Sequence, residues 1–365
     1  MKRILGLLLL VLASNIAYAQ KTWYDPQQAE YDVMQNQAFV NQIKGYSRLP
    51  ESAKGVVRDA VWNLSRHSAG VAIFFRTDSP DIEIKYTTIS RSYAMPHMPS
   101  TGVSGVDLYR VDNHGEWCYL AGGYSFGDQV SYKYNDLPKA SADQEFEYRL
   151  YLPLYNGVKS LQIGVNEGCE FEFVPTSTKK PIVLYGTSIA QGGCCSRPAM
   201  AWGTVVHREL DYPLVNLGFS GNGHMEPEVL DYIAQIDAAL YILDCLPNVA
   251  NRTLDDLYQL LISAVKQIRQ KSQAPILLVD HVGFSDEKTD RVNREKVKTA
   301  NAANLKVYEA LRKQGDKRVY YLSQKELGLE MNSTVDGIHL TDWGMVQQGE
   351  AVADKVRKIL HLRNR

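Results

Sequence analysis

The sequence predicts an α/β protein in two parts. An antiparallel, jelly-roll-like β-sandwich precedes a three-layer α/β/α unit built on a five-stranded parallel sheet. Between residues 62 and 174 the apolar residues recur at every second position in short runs, which is typical of strands with one buried face. From residue 182 onward, continuous apolar runs alternate with amphipathic helical stretches, a pattern that indicates a parallel sheet covered on both faces.

Residues 1–19 have the layout of a secretory signal peptide. A basic start at residues 1–3 is followed by an apolar run at 4–13 and by Ala17-Tyr18-Ala19. We therefore expect cleavage after Ala19 and a periplasmic or secreted protein. The apolar run is too short to span a bilayer, and no later run reaches about 18 apolar residues, so no membrane span is expected.

Charge and cysteine content exclude several classes of function. The 40 basic and 41 acidic residues nearly balance, which gives no electrostatic attraction to nucleic acid. The five cysteines are an odd number without a C-x-x-C pair, which argues against a disulfide framework and a zinc site. Cys194 and Cys195 suit buried packing, although adjacent thiols can also form a strained vicinal disulfide. We expect neither a metal nor a cofactor, since histidines are scattered and no phosphate-binding glycine loop is present.

The sandwich is predicted from short alternating runs separated by turn residues. Turn signals such as Asn156-Gly157 occur at the spacing of an all-β domain. A polar linker at 175–181 separates a sandwich domain, residues 20–175, from a second domain, residues 181–365. The clearest alternating runs are 82–86, 106–111, 146–150, 161–165 and 171–173.

The second domain is predicted from strands that alternate with helices. Thr253 followed by Asp256 resembles a capping box at the start of one helix. The predicted strands are 182–185, 214–217, 239–243, 276–279 and 319–322. The predicted helices are 199–210, 226–236, 253–271, 290–314 and 342–361.

Candidate catalytic residues follow the strands, because ligands bind beyond the carboxyl ends of an open parallel sheet. The first strand runs into Gly186-Thr187-Ser188, which puts a serine hydroxyl at the sheet edge. A nucleophilic serine needs a base, a group that orients the base, and donors for the oxyanion. After the last strand, Asp336 stands three residues before His339, close enough in a tight loop to bind its Nδ1–H.

Two further blocks are candidates for the oxyanion donors. Gly221 follows the second strand and offers a bare N–H, and Asn248 follows the third and offers a side-chain amide. Both residues would also suit turns with positive φ. Ser188 would equally suit a helix N-cap, and His339 a packed loop position.

These four blocks, in this order, resemble the SGNH, or GDSL-type, hydrolase superfamily. The resemblance covers about residues 180–365 and implies a flavodoxin-like α/β/α fold. It implies a Ser188–His339–Asp336 triad, with an oxyanion hole formed by Ser188, Gly221 and Asn248. The nucleophile block reads Gly-Thr-Ser where the wider family has Gly-Asp-Ser, and it lacks the Gly-x-Ser-x-Gly pattern of α/β-hydrolases.

The first half carries a second resemblance. Gly105-Val106-Asp107-Leu108-Tyr109 is similar to the Gly-x-Asp-Leu-Tyr signature of a β-sandwich that precedes one SGNH subgroup common in Bacteroidetes. With both resemblances, nearly all of the chain after residue 19 is covered.

Other residues near strand ends remain open candidates. Asp244 is a possible site carboxylate, but a structural hydrogen bond to the neighbouring turn explains it as well. His224 and His281 would line the pocket or contact substrate. Arg197 would bind a substrate oxygen or form an ordinary ion pair.

We therefore expect an exported serine esterase that removes a short acyl group, namely an acetyl group, from a carbohydrate. Its partner is then a small-molecule or glycan ester. Two alternatives remain: an esterase directed to short-chain lipids, and an inert carbohydrate-binding protein in which only the sandwich functions.

Overall fold

The computed structural model describes residues 20–138 and 146–363. The expected signal peptide at 1–19 lies outside the described residues. In the described part of the first half, eleven strands form two antiparallel sheets, ordered β1-β10-β4-β8-β7 and β11-β3-β9-β5-β6, with β2 paired to β3. These strands are β1 Lys21–Tyr24, β2 Met34–Gln35, β3 Ala72–Thr77, β4 Ile82–Thr88, β5 Asp107–Asp112, β6 Trp117–Leu120, β7 Gly123–Ser125, β8 Val130–Tyr134, β9 Phe146–Tyr151, β10 Val158–Asn166 and β11 Phe171–Phe173.

The sandwich core lies between these two sheets. Ile73 and Phe75 of β3 face it, together with Ile84 of β4. The opposite face of β3 is also buried, since Ala72 and Phe74 pack in a cluster that includes Ala199 of the second half. One sheet of the sandwich is therefore covered on both sides, and β3 shows a continuous apolar run instead of an alternating one.

The second half contains the expected five-stranded parallel sheet, ordered β13-β12-β14-β15-β16. Its first strand is flanked by the second and the third, which makes β12 the point where the strand order reverses and where a ligand crevice forms. The strands are β12 Ile182–Gly186, β13 Leu214–Gly218, β14 Leu240–Asp244, β15 Ile276–Val279 and β16 Val319–Leu322.

Helices cover both faces of this sheet. Val183 and Tyr185 of β12 pack with α5, α7 and α8 on one face, whereas Ile182 and Leu184 pack with α4 and α10 on the other. The three-layer prediction is confirmed. The α-helices within residues 20–138 and 146–363 are α1 Asp59–Ser65, α2 Ser100–Val103, α3 Ser188–Gln191, α4 Trp202–Leu210, α5 Pro227–Ile233, α6 Leu246–Val249, α7 Leu254–Arg269, α8 Arg291–Lys313, α9 Gln324–Leu327 and α10 Asp342–Leu360.

The structure differs from the sequence-based prediction at the start of the first half. The alternating apolar pattern begins at Trp62, but Trp62 itself lies in helix α1. Leu49, Val61 and Trp62 pack into the core of the parallel-sheet half. The boundary at 175–181 stays a prediction, although it falls between β11 and β12. None of the helices in the described residues is both long and apolar enough to cross a bilayer.

Candidate active site

Ser188 lies at the carboxyl end of β12, as the first residue of α3. The helix cap is Thr187, whose side-chain oxygen accepts a hydrogen bond from the N–H of Ile189 at 3.3 Å. The N-cap explanation for Ser188 is therefore wrong, since the neighbouring residue has that role. The Ser188 hydroxyl is left available for other contacts.

Ser188, His339 and Asp336 form a continuous chain of hydrogen bonds. His339 Nδ1 lies 2.7 Å from Asp336 Oδ2, and His339 Nε2 lies 2.8 Å from the Ser188 hydroxyl oxygen. Because the carboxylate can only accept, Nδ1 carries the proton and Nε2 is the acceptor for the serine hydroxyl. This is the tautomer that a general base needs.

The loop around Asp336 holds the carboxylate in place. Asp336 Oδ1 accepts from the backbone N–H groups of Ile338 at 3.2 Å and His339 at 2.9 Å. Burial acts to raise the pKa of Asp336, but the hydrogen bonds from His339 outweigh it, and the pKa is lowered. Gly337 has φ +96, a conformation that a side chain would strain. Its carbonyl accepts from Ser285 N–H at 2.9 Å, which ties this loop to the one after β15.

The three candidate oxyanion donors differ in how the structure presents them. Among the described residues, the N–H groups of Ser188 and Gly221 have no hydrogen-bond acceptor. Gly221 has φ +66, so it is a turn residue and at the same time offers a free N–H. Asn248 Oδ1 accepts from Gly223 N–H at 3.0 Å, which assigns the oxygen of this amide and leaves its Nδ2 to donate.

Glycines bring the second and first strand ends together. A Cβ on Gly223 would lie 2.4 Å from the Gly186 carbonyl oxygen, and one on Gly218 would lie 2.3 Å from Gln191 N. Gln191 also accepts from Ser220 N–H at 3.0 Å. Only glycine permits this approach, so the loop that carries Gly221 is held against α3. No sequence motif predicts this role for Gly218, Gly223 or Gln191.

The Gly-x-Asp-Leu-Tyr signature lies at the contact between the two halves. Asp107 Oδ2 accepts from Arg197 Nη1 at 2.9 Å and from Ala199 N–H at 2.8 Å. The Tyr109 hydroxyl accepts from Arg197 at 2.7 Å and from Arg208 at 2.8 Å. Arg197 thus forms an ion pair with the sandwich, and the signature binds the sandwich to the segment after α3.

The other candidate site residues lie in different environments, which decides whether each can contact a substrate. Asp244 is fully buried, and burial raises its pKa well above the ordinary value. Its side chain accepts from Gln348 of α10 at 3.5 Å, not from the turn that the sequence suggested. His281 is also fully buried, with its pKa lowered to about 4 by burial, so it does not line the site. His224 is partly exposed and lies 3.2 Å from Arg58 Nη2.

Cys194 adjoins the triad. Its Sγ, a carboxylate oxygen of Asp336 and a ring nitrogen of His339 lie within 4.8 Å of one another, a separation that metal ligands can have. Asp336 and His339 are already engaged in the hydrogen-bonded chain. Burial, reinforced by Asp336, raises the pKa of Cys194 to about 11. Cys194 and Cys195 are both buried free thiols, which agrees with a packing role.

Three residues of the first half reach the site without any sequence signal. The Tyr155 hydroxyl donates to the Ser188 carbonyl at 3.3 Å, and His67 Nδ1 lies 3.2 Å from Gln191 Nε2. The ring of His97 lies 6.2 Å from the ring of His339. These positions are far apart in the chain, so no local pattern could have placed them together.

Comparisons with known proteins agree with this architecture. The model of the GDSL-like lipase/acylhydrolase family matches residues 179–360, and the model of the N-terminus of SGNH hydrolase-type esterases matches residues 21–171. A solved structure described as a GDSL-like lipase from Bacteroides ovatus is 31% identical, with a TM-score of 0.85. The alignment covers 95% of this chain and 100% of that one. A search of curated proteins finds no match.

Two more distant structures show the fold alone. The salicylyl-acyltransferase SsfX3 from a tetracycline biosynthetic pathway is 19% identical, with a TM-score of 0.73 over 94% of this chain and 99% of that one. A carbohydrate esterase family 2 enzyme from Myceliophthora fergusii is 13% identical, with a TM-score of 0.53 over 80% and 94%.

The fold and its relatives define a carboxylic ester hydrolase with an α/β/α catalytic half. The chain belongs to the GDSL-like lipase/acylhydrolase family, and its first half is the N-terminal domain of SGNH-type esterases.

Proposed function

We propose that the protein is an exported esterase that removes a short acyl group, acetyl, from a carbohydrate through an acyl-enzyme at Ser188. The observation that carries the proposal is the hydrogen-bonded chain from the Ser188 hydroxyl through His339 to Asp336, at 2.8 and 2.7 Å. Such a chain converts a weakly nucleophilic hydroxyl into an attacking group.

The reaction has two steps. His339 Nε2 takes the Ser188 proton while the serine oxygen bonds to the ester carbonyl carbon, and the resulting oxyanion accepts from Ser188 N–H, Gly221 N–H and the Asn248 amide. His339 then gives its proton to the departing alcohol oxygen as the ester bond breaks. A water molecule then gives a proton to His339 while its oxygen bonds to the acyl carbon. His339 returns that proton to the Ser188 oxygen as the bond between the serine and the acyl group breaks, which releases the carboxylic acid and restores the enzyme.

The substrate class is supported by context. Carbohydrate esterases from Myceliophthora fergusii and Clostridium thermocellum have the same fold. Polar side chains near the candidate triad include Asn248, which binds Gly223, and the exposed His97 beside His339. The signal-peptide pattern at residues 1–19 supports export. An N-terminus at Gln20, found by sequencing protein recovered from the periplasm or medium, tests that part.

The main experiment compares esters with Ser188→Ala as the variant and Ser263→Ala, an exposed serine on α7, as the control. We expect acetate release from acetylated xylan or mannan, and p-nitrophenyl ester rates that fall as the acyl chain lengthens. Ser188→Ala should lose nearly all activity, and Ser263→Ala should lose none. Full activity in Ser188→Ala would overturn the assignment.

One observation favours a second candidate, an esterase directed to short-chain lipids. Met331, Val335 and Trp343 are exposed apolar side chains that flank Asp336 and His339 in the sequence. Beside the same loop lies a cleft of about 430 Å³ lined in part by Val282 and Phe284. Rates that rise from acetyl to hexanoyl esters, with no acetate released from polysaccharides, would establish this candidate instead.

A further inference from the structure

An exposed imidazole of the sandwich half stands beside the proposed catalytic base. The ring centroids of His97 and His339 are 6.2 Å apart, and the ring planes differ by only 27°. His97 is exposed, so its ring nitrogens are open to a ligand that enters the site.

A tight turn fixes the position of His97. Met95 and Met98 exchange backbone hydrogen bonds of 2.9 and 3.0 Å on either side of it. Met98 is only 2% exposed and packs in the core that lies under α4 and α10. The turn is therefore anchored by a buried side chain, while the imidazole at its tip points away from that core.

The chain after the turn is docked on the segment that follows the nucleophile helix. The Thr101 hydroxyl donates to the Ser196 carbonyl at 2.7 Å. A Cβ on Gly102 would lie 2.1 Å from the Cys195 carbonyl oxygen, so the two backbones approach as closely as glycine allows. The position of His97 relative to His339 is thus set by a direct contact between the two halves.

The proton path identifies the part of a substrate that meets this imidazole. In ester cleavage, the base that deprotonates the serine later protonates the departing alcohol oxygen. The alcohol must therefore lie beside the ring of His339, whereas the acyl group stays bonded to Ser188. A residue that stands next to the His339 ring contacts the alcohol side of the ester.

We propose that His97 hydrogen-bonds a hydroxyl group of the alcohol that carries the acyl group, so that the sandwich selects this alcohol. A neutral imidazole has one donor and one acceptor nitrogen, which suits a hydroxyl-rich partner such as a sugar. The inference rests on the proposed esterase function and makes His97 a specificity-determining residue.

The test keeps the acyl group constant and changes the alcohol. The substrates are p-nitrophenyl acetate, whose alcohol has no further hydroxyl, and a monoacetylated methyl xyloside, whose alcohol has two. His97→Ala should lower kcat/KM for the sugar acetate on the order of tenfold, the effect of one lost hydrogen bond. It should change the rate with p-nitrophenyl acetate less than twofold, and His97→Asn should restore part of the loss.

The control is His114→Ala, an exposed histidine in the turn between β5 and β6 of the same half, which should change neither rate. Equal losses on both substrates would overturn the inference, because His97 would then act through His339. No loss on either would overturn it as well. Ser188→Ala in the same assay distinguishes the two failures. If Ser188→Ala still cleaves p-nitrophenyl acetate, the esterase assignment is wrong. If Ser188→Ala is inactive and only the result for His97→Ala differs from expectation, the esterase assignment holds and the His97 inference is wrong.

Discussion

The two halves of the molecule differ in how they hold the residues of the site. In the parallel-sheet half, part of the geometry is local, since Asp336 binds His339 three positions further along the same loop, and parallel strands bring that loop to Ser188. The sandwich half contributes hydrogen bonds between residues that are far apart in the chain. Asp107 accepts one from Arg197, and Tyr155 donates one to the Ser188 carbonyl. One half therefore carries the reactive groups, and the other fixes the loops around them.

The contact between the two halves resembles a protein core, because buried apolar side chains from both halves pack together there. Phe74, Tyr109 and Tyr151 of the sandwich pack with Ala199, and Leu154 lies in the core beneath α4 and α10. Arg48 is 2% exposed and donates to the Gly218 carbonyl at the end of β13. The sandwich therefore packs against the parallel-sheet half through buried side chains.

Deleting residues 20–175 should have the largest effect. The truncated chain would expose the apolar face that Leu49, Val61 and Trp62 cover, and large exposed apolar surfaces cause aggregation. We expect insoluble protein or a chain without a cooperative unfolding transition, measured by circular dichroism. A soluble, active fragment 176–365 would show that the sandwich is dispensable.

The next largest effect is expected for a substitution within the parallel-sheet half. Asn248→Asp keeps the oxygen that accepts from Gly223 N–H but lacks the amide donor. We expect kcat for p-nitrophenyl acetate to fall about 100- to 1000-fold with little change in thermal stability, since one oxyanion donor is lost. Asn251→Asp, at an exposed position nearby, is the matched control. A loss below tenfold would remove Asn248 from the oxyanion hole.

Asp107→Asn tests the contact between the halves. Asp107 is 2% exposed and Arg197 keeps 24% side-chain exposure, so the change leaves a largely buried cation without its partner. We expect a loss on the order of 3 kcal/mol in the free energy of unfolding, measured with urea. Asp128→Asn, which breaks an exposed pair with Arg91 at 2.9 Å, should cost less than about 1 kcal/mol. Equal losses would contradict a structural role for the signature.

The smallest effect concerns pH. His207 of α4 packs against Phe74, Trp117 and Tyr151 of the sandwich, and burial together with Arg149 lowers its pKa to about 4 from 6.5. Between these values the unfolded chain binds a proton here and the folded chain does not, so stability falls as the pH falls from 6.5 to 4.

The expected slope from His207 is about 1.4 kcal/mol per pH unit in that window. Urea unfolding at pH 7, 6 and 5 measures it, and His207→Phe should show a correspondingly smaller loss in acid. His281, with its pKa also lowered to about 4, lies away from the sandwich contact, and His281→Phe provides the comparison. An unchanged pH dependence in His207→Phe would exclude titration at the contact.

The predicted and observed elements agree best where the sequence period is unambiguous. The helix predicted at 290–314 is Arg291–Lys313, and the strand at 276–279 is Ile276–Val279. Thr253 caps α7 by accepting from Asp256 N–H at 3.2 Å. The sequence of strand β3 does not alternate between apolar and polar residues, because both of its faces are buried. The sandwich core covers one face and the second half covers the other.

The sequence by itself determined the order of the elements and the blocks that end each strand, because hydrophobic period and loop spacing are local properties. Ser188, Asp336 and His339 could be named for that reason. Only the tertiary structure decided which residues of the sandwich meet them. His97 and Tyr155 approach these residues through packing between distant segments, and no local spacing in the chain predicts such an approach. The same packing explains why Asp244 and His281 are buried and do not line the site.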